Sequence, residues 1–173
     1  MREYSYRCRD FSLLTPDFKK WFVAPLLPYV PWGIPANIIT LFSNLFVYIG
    51  FFVSLNYHTS WSRLIVAGCL FLYLVGDHLD GMQAKKTKTG SALGEFCDHY
   101  LDAFNNGIIL YTAFMVFEIN HPLLTTVVLT TSYLAHMSVF YEQFKTGWLT
   151  FEKLGSLEAV LLMLLLIGVA AFG

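Results

Sequence analysis

Apolar positions along this chain come in long blocks rather than in strict alternation, and five blocks predict helices that cross a lipid bilayer. A transmembrane helix needs about 20 mostly apolar residues. Residues 37–55, 62–79, 92–117, 123–141 and 157–171 meet or approach that length. Ahead of the first block, Thr15-Pro16-Asp17-Phe18-Lys19-Lys20-Trp21-Phe22 mixes charges and aromatics as a helix lying flat at the membrane interface would. Thr15 suits the N-cap of that helix and Pro16 its first position. Pro25, Pro28, Pro31 and Pro35 then interrupt the chain, so 15–30 reads as an interfacial helix and a linker. The predicted fold class is an all-α integral membrane protein: a bundle of about five transmembrane helices with an N-terminal interfacial amphipathic helix, one domain over 1–173.

Composition agrees. Of the 173 residues, 56% are hydrophobic and 13% charged, against roughly 25% charged in a water-soluble domain. The net charge of −1 says nothing about nucleic acid, but no basic stripe or stacking platform is visible, so no nucleic-acid partner is expected. Cys8, Cys69 and Cys97 are odd in number and have no CxxC spacing, so neither a disulfide framework nor a zinc site is expected. The charged start MREYSYRCRDFSLL has no apolar core and does not read as a signal peptide.

Ten of the eleven Lys and Arg fall in three segments that five spans place on one side. These are the N-terminal segment (Arg2, Arg7, Arg9, Lys19, Lys20), the second-to-third connection (Lys85, Lys86, Lys88) and the fourth-to-fifth connection (Lys145, Lys153). Only Arg63 is opposite. The positive-inside bias puts the N-terminus and the second-to-third connection in the cytosol.

That connection lies in GDHLDGMQAKKTKTGSALGEFCDHYLD, residues 76–102, where four aspartates interrupt an apolar context. Carboxylates at membrane depth are costly and usually face a functional cavity. Asp77 and Asp80 are three apart; Gly94, Asp98 and Asp102 are each four apart and form one helical stripe. The two helices are antiparallel neighbours, so all four carboxylates are expected to converge near the cytosolic face, Asp102 a turn deeper than the others. Four carboxylates stay ionised together only with compensation. An all-oxygen set suits Mg²⁺ or Mn²⁺, and four carboxylates can hold two ions, the number that clamps both oxygens in phosphoryl transfer. Gly81, Ala84 and Gly94 leave room for a bulky ligand, and Lys85, Lys86 and Lys88 stand where phosphate would be attracted.

Asp77, Asp80-Gly81, Ala84-Lys85, Gly94, Asp98 and Asp102 resemble, interval for interval, the D-x2-D-G-x2-A-R-x8-G-x3-D-x3-D signature of the CDP-alcohol phosphotransferases (CDP-alcohol phosphatidyltransferases). Lys85 departs from it: the family has arginine there, and lysine keeps the charge but loses the planar fork. Gln83, Glu95 and His99, with Pro35, Asn37, Ile39 and Thr40 at the start of the first span, look most like the eukaryotic choline and ethanolamine phosphotransferases. The resemblance implies an enzyme that transfers the phospho-alcohol group of CDP-ethanolamine or CDP-choline to the hydroxyl of diacylglycerol, releasing CMP and making phosphatidylethanolamine or phosphatidylcholine. It implies Asp77, Asp80, Asp98 and Asp102 as metal ligands, Asp102 as general base, and an active site on the cytosolic side of endoplasmic reticulum or Golgi membrane. Membrane lipids surround such a protein, and a homodimer is among the assemblies it allows.

Other residues are weighed beside these. His99 either assists proton transfer or packs. Glu158, an acid near the start of the fifth span, either helps bind the head group or sits at the interface. Asn37 and Thr40 line the nucleotide site, or Asn37 caps the first span. Gly81, Ala84, Lys85 and Gly94 complete the expected substrate-binding set. The competing readings are another CDP-alcohol or CDP-diacylglycerol-dependent transferase, and an inactive membrane isoform. The last draws on a chain that stops at five spans, where the family generally has six or more, as if truncated at its C-terminus.

Overall fold

The computed structural model describes residues 7–172; Arg2, counted above with the basic start, lies outside them. The elements are β1 (Cys8–Asp10), α1 (Thr15–Phe18), a wide helical turn at Lys19–Val23, a tight one at Leu27–Tyr29, α2 (Ala36–Asn56), α3 (Ser60–Thr87), α4 (Ala92–Val116), α5 (Pro122–Thr146), β2 (Leu149–Phe151) and α6 (Ser156–Phe172). Three helices, α2, α3 and α5, are long and apolar enough to cross a membrane. The 25-residue α4 is also long enough, but Glu95, Asp98 and Asp102 lower its hydropathy, and α6 is a shorter apolar helix of 17 residues. The protein is an all-α integral membrane protein.

Helix boundaries follow from local chemistry; α5 ends five residues past the predicted Tyr141, and two further boundaries differ from expectation. α3 begins with a reciprocal capping box, in which the Thr59 side chain accepts from the Ser62 N–H and the Ser62 side chain from the Thr59 N–H. It runs eight residues past the predicted end at Leu79. Met82, Gln83, Ala84, Lys85 and Lys86 are all good helix formers, and nothing stops the helix before Lys88, which is left-handed at φ 56°. Asp77 and Lys86 are therefore on one rigid helix instead of a helix and a loop. The second correction concerns the interfacial segment. Thr15 is not the N-cap but the first helical residue; Leu14 precedes it with no capping side chain. The open N–H groups find one local and one remote acceptor: Thr15 N–H donates to Ser12 Oγ (3.1 Å) and Leu14 N–H to Glu158 Oε1 (3.0 Å).

The core joins α2, α3 and α6, with Val47, Val66, Leu70, Leu74, Val160 and Ile167 buried together. Between helices in lipid no hydrophobic force operates, and close packing with small or polar residues takes its place. Gly76 shows why: a Cβ there would lie 2.5 Å from the Ser43 Cβ, so only glycine lets α2 and α3 cross this closely. Asn105 Nδ2 on α4 donates to Asn44 Oδ1 on α2 (2.5 Å), both buried. No residue of α5 is buried; Asn106–Ser132 and Gln143–Glu95 hydrogen bonds tie it to α4.

The two ends of the bundle differ in charge. At one end β1 pairs in parallel with β2, Cys8 opposite Leu149, which joins the N-terminal segment to the α5–α6 connection. Lys86 Nζ donates to the Leu27 and Val30 carbonyls and brings the α3–α4 connection to the same end. The described basic segments thus gather on one side. At the other end, Arg63 donates to the Ala170 carbonyl and pairs with Glu118 at 3.2 Å.

Candidate active site

α3 and α4 run antiparallel, and a carboxylate oxygen from each of Asp77, Asp98 and Asp102 lies within 4.8 Å of the others. Asp80 belongs to the same neighbourhood, interacting electrostatically with Asp77 and Asp98, but its Oδ2 accepts a 2.6 Å hydrogen bond from Thr40 Oγ1 of α2. Asp80 is also the most buried of the four, 4% exposed. The structure thus gathers three of the four oxygens directly and engages the fourth with α2.

Depth also differs from the expected order. Tyr73, one turn before Asp77, donates its hydroxyl to Asp102 Oδ1 at 3.1 Å. Asp77 is also within hydrogen-bond reach of Asp102, so the two form an inner tier. Asp80 and Asp98, each one turn nearer the basic end, make the outer tier. The reason is geometric: on antiparallel helices, stepping forward on one means stepping back on the other. Tyr73 was missed from the sequence. Its only signal was the four-residue spacing to Asp77, which puts both on one face.

Beside the carboxylates is a cavity of about 310 Å³, lined by Asn37, Thr40, Leu41, Gly94, Asp98 and Leu101 among others. Gly94 is tightly placed: a Cβ there would stand 3.2 Å from Ser91 Oγ and 3.5 Å from Asn37 Oδ1. At Gly81 a Cβ would meet nothing within 4 Å, so that backbone faces open space. Ala84 is half-buried on the same helix and Lys85 is exposed.

Two expected contributors are engaged elsewhere, and a third has a packing partner. Lys86 does not reach toward the cavity; its ammonium is held by two linker carbonyls, at 3.0 and 2.7 Å. Glu158 does not face the aspartates. Its carboxylate accepts from Ser12 Oγ, Leu14 N–H and Gly155 N–H, which makes it a cap for α6 and a latch for the N-terminal segment. His99 stacks on Phe140 of α5, centroids 5.1 Å apart, and remains close enough to Asp102 to interact with it electrostatically.

The carboxylate oxygens are hard donors, and among the described residues none of the four aspartates pairs with Lys or Arg. His78 lies 3.5 Å from Asp77, and His99 and His136 stand close enough to Asp102 to interact with it electrostatically. Such a set at membrane depth fits a divalent cation, which supplies the missing positive charge. Fold and site together define a helical membrane protein with an acidic, metal-competent pocket beside a ligand-sized cavity.

Residues 34–172 match the model of the CDP-alcohol phosphatidyltransferase family, and the chain belongs to that family. It is 30% identical over 187 aligned residues to a CDP-alcohol phosphatidyltransferase class-I family protein of Schizosaccharomyces pombe, covering 99% of this chain and 47% of the relative. A class-I family protein of Dictyostelium discoideum is 29% identical, covering 91% of this chain and 43% of the relative. The choline/ethanolaminephosphotransferase 1 of Saccharomyces cerevisiae is 29% identical, covering 94% and 44%. The chain spans about half the length of these relatives.

Proposed function

We propose that this chain carries the catalytic part of a CDP-ethanolamine or CDP-choline phosphotransferase that acts on diacylglycerol. The observation that carries the reading is the Asp77–Asp98–Asp102 cluster, whose Asp98 also lines the cavity of Asn37, Thr40 and Gly94. Similarity to a relative named choline/ethanolaminephosphotransferase supports this head-group class.

Asp77, Asp80, Asp98 and Asp102 would hold Mg²⁺ or Mn²⁺, two ions in this reading, which would supply charge neutralisation for the diphosphate and for the departing CMP. Asn37, Thr40, Gly81, Ala84 and Gly94 shape the nucleotide side, where small residues let the ligand approach the backbone. Lys85, exposed on α3 next to Ala84, is a cation available to meet phosphate. On the lipid side, the diacylglycerol hydroxyl attacks the β-phosphorus in line. The new P–O bond forms as the bond to the bridging oxygen breaks, and CMP leaves with that electron pair. The hydroxyl proton passes to Asp102, whose orientation the Tyr73 hydroxyl fixes. The reaction faces the cytosol, as the gathered basic segments favour, in endoplasmic reticulum or Golgi membrane.

The test is direct. The purified chain in lipid nanodiscs is given radiolabelled CDP-ethanolamine or CDP-choline with diacylglycerol. Labelled phospholipid should form with Mg²⁺ or Mn²⁺ and stop in excess EDTA; turnover undiminished by EDTA would refute the metal site. If CDP-diacylglycerol with a soluble alcohol is the pair consumed, the substrate assignment falls.

A further inference from the structure

We propose that Gln83 and Lys86 are positioning residues that align the first turn of α2 with the carboxylates through the linker that precedes it. The inference rests on reading the adjacent cavity as the nucleotide site.

Gln83 is fully buried, and its Nε2 donates to the Pro31 carbonyl at 2.9 Å and the Ile34 carbonyl at 3.0 Å. One turn further on, Lys86 Nζ holds the Leu27 and Val30 carbonyls and stands 5.4 Å from the centre of the Trp32 ring. Four carbonyls of one linker are thus bound by two side chains three residues apart on the rigid end of α3. The Leu27 and Pro31 carbonyls also accept the Val30 and Ile34 N–H groups of the linker's own turns, so the two side chains fasten those turns to α3 in a stretch that Pro28, Pro31 and Pro35 keep from forming a continuous helix.

The clamp reaches the site over a short, stiff path. Ile34 N–H donates to the Pro31 carbonyl, Pro35 precedes α2 directly, and Asn37 and Thr40 follow on its first two turns. Thr40 then bonds Asp80, which is itself three residues before Gln83 on α3. Linker, α2 and α3 close a ring. Its rigid side is the α3 segment from Asp80 to Lys86, and its working side presents Asn37 and Thr40 to the cavity with Gly94 and Asp98. Freeing the linker lets Asn37 and Thr40 shift while leaving Asp77, Asp98 and Asp102 in place. The expected signature is therefore weaker nucleotide binding with intact chemistry.

Cys97 supplies a reporter that needs no turnover. It is exposed and lines the cavity, whereas Cys69 is buried. In a Cys8→Ser background, maleimide labelling of Cys97 should be slowed by CMP with Mg²⁺. Gln83→Leu and Lys86→Met should each raise the half-protecting CMP concentration about tenfold, as one or two lost hydrogen bonds would. Lys86→Arg, which keeps donors, should restore most of the protection. In turnover, KM for the CDP-alcohol should rise in parallel while kcat and KM for diacylglycerol stay within about twofold. A merely structural loss would lower kcat through the active fraction. Should Gln83→Leu fail to fold, the half-buried Lys86→Met carries the test. Protection at the unchanged CMP concentration in a folded variant, or a fall in kcat at constant KM, overturns the proposal. Absence of protection in the unaltered chain would remove the nucleotide reading of the cavity, and this proposal with it. Protection without turnover would refute only the assigned activity.

Discussion

The turns of α3 from Ser62 to Leu74 bury Val66, Leu70 and Leu74 against α2 and α6, whereas the turns from Asp77 to Lys86 turn Asp77, Asp80, Gln83 and Lys86 toward α4, α2 and the linker. Both halves are one continuous helix, and both are packed. They differ in what a substitution leaves behind. In the apolar half, removing a side chain leaves a void between surfaces that lipid or a neighbour can partly fill. In the polar half it leaves a specific partner without its bond: a hydroxyl, a carbonyl or another carboxylate. The first kind of loss is graded and affects stability; the second is discrete and affects function.

The largest effect should come at the inner tier. Asp102→Asn keeps size and the Tyr73 contact but removes the proton acceptor, so turnover at saturating CDP-alcohol should fall about 10²–10⁴-fold. CMP binding in Mg²⁺, measured by calorimetry, should stay near normal. If binding collapses as well, Asp102 is chiefly a ligand. Asp77, which shares its tier, then becomes the next candidate for the base.

The outer tier should respond the opposite way. Asp98 belongs to the metal cluster and also lines the cavity. Loss of a supporting contact around a metal typically costs about 10–100-fold in affinity, and a direct ligand should cost at least as much. Asp98→Asn should therefore weaken Mg²⁺-dependent CMP binding by at least that factor. Titration calorimetry with the same preparation of CMP checks it.

Leu70→Ala tests the other half of α3. Leu70 is fully buried. Lipid is as apolar as leucine, so the transfer contribution largely falls away and the cavity contribution remains. A loss on the order of 1–2 kcal/mol is expected, seen as a lower thermal midpoint in nanodiscs, with CMP affinity unaltered. An equal loss of CMP affinity would show that the two halves are coupled and would blur the contrast.

The smallest effect should be at Glu158, an acid in a structural position. Glu158→Gln keeps one acceptor for the N-terminal segment and should cost about 1 kcal/mol of stability without changing KM for the CDP-alcohol. A several-fold rise in that KM would return Glu158 to the substrate site.

Much of this molecule was legible from spacing. Helices carry their period in the sequence, so the blocks of apolar residues marked five helices, most ends to within two positions, while α3 runs eight residues and α5 five beyond the expected end. The three- and four-residue intervals of Asp77, Asp80, Asp98 and Asp102 marked shared faces. A glycine one turn before Asp98 marked a close approach. These are properties of a single helix or of two joined helices, and local geometry is enough to state them.

What needed the folded chain was the choice among partners. Lys85 and Lys86 are chemically alike and adjacent, yet one is exposed and the other binds two carbonyls more than fifty residues away. Glu158 and Asp102 are both acids in apolar helices, but Glu158 meets the backbone N–H groups of Leu14 and Gly155, and Asp102 meets Tyr73 and two other carboxylates. The tier order of the aspartates was likewise set by how far α3 slides along α4. A sequence determines what a side chain can bond and which way it faces on its own helix. Which donor or acceptor stands opposite depends on the packing and register of separate helices, and in the interior of a membrane protein that decides whether a charged group caps a helix, holds a linker or forms a site.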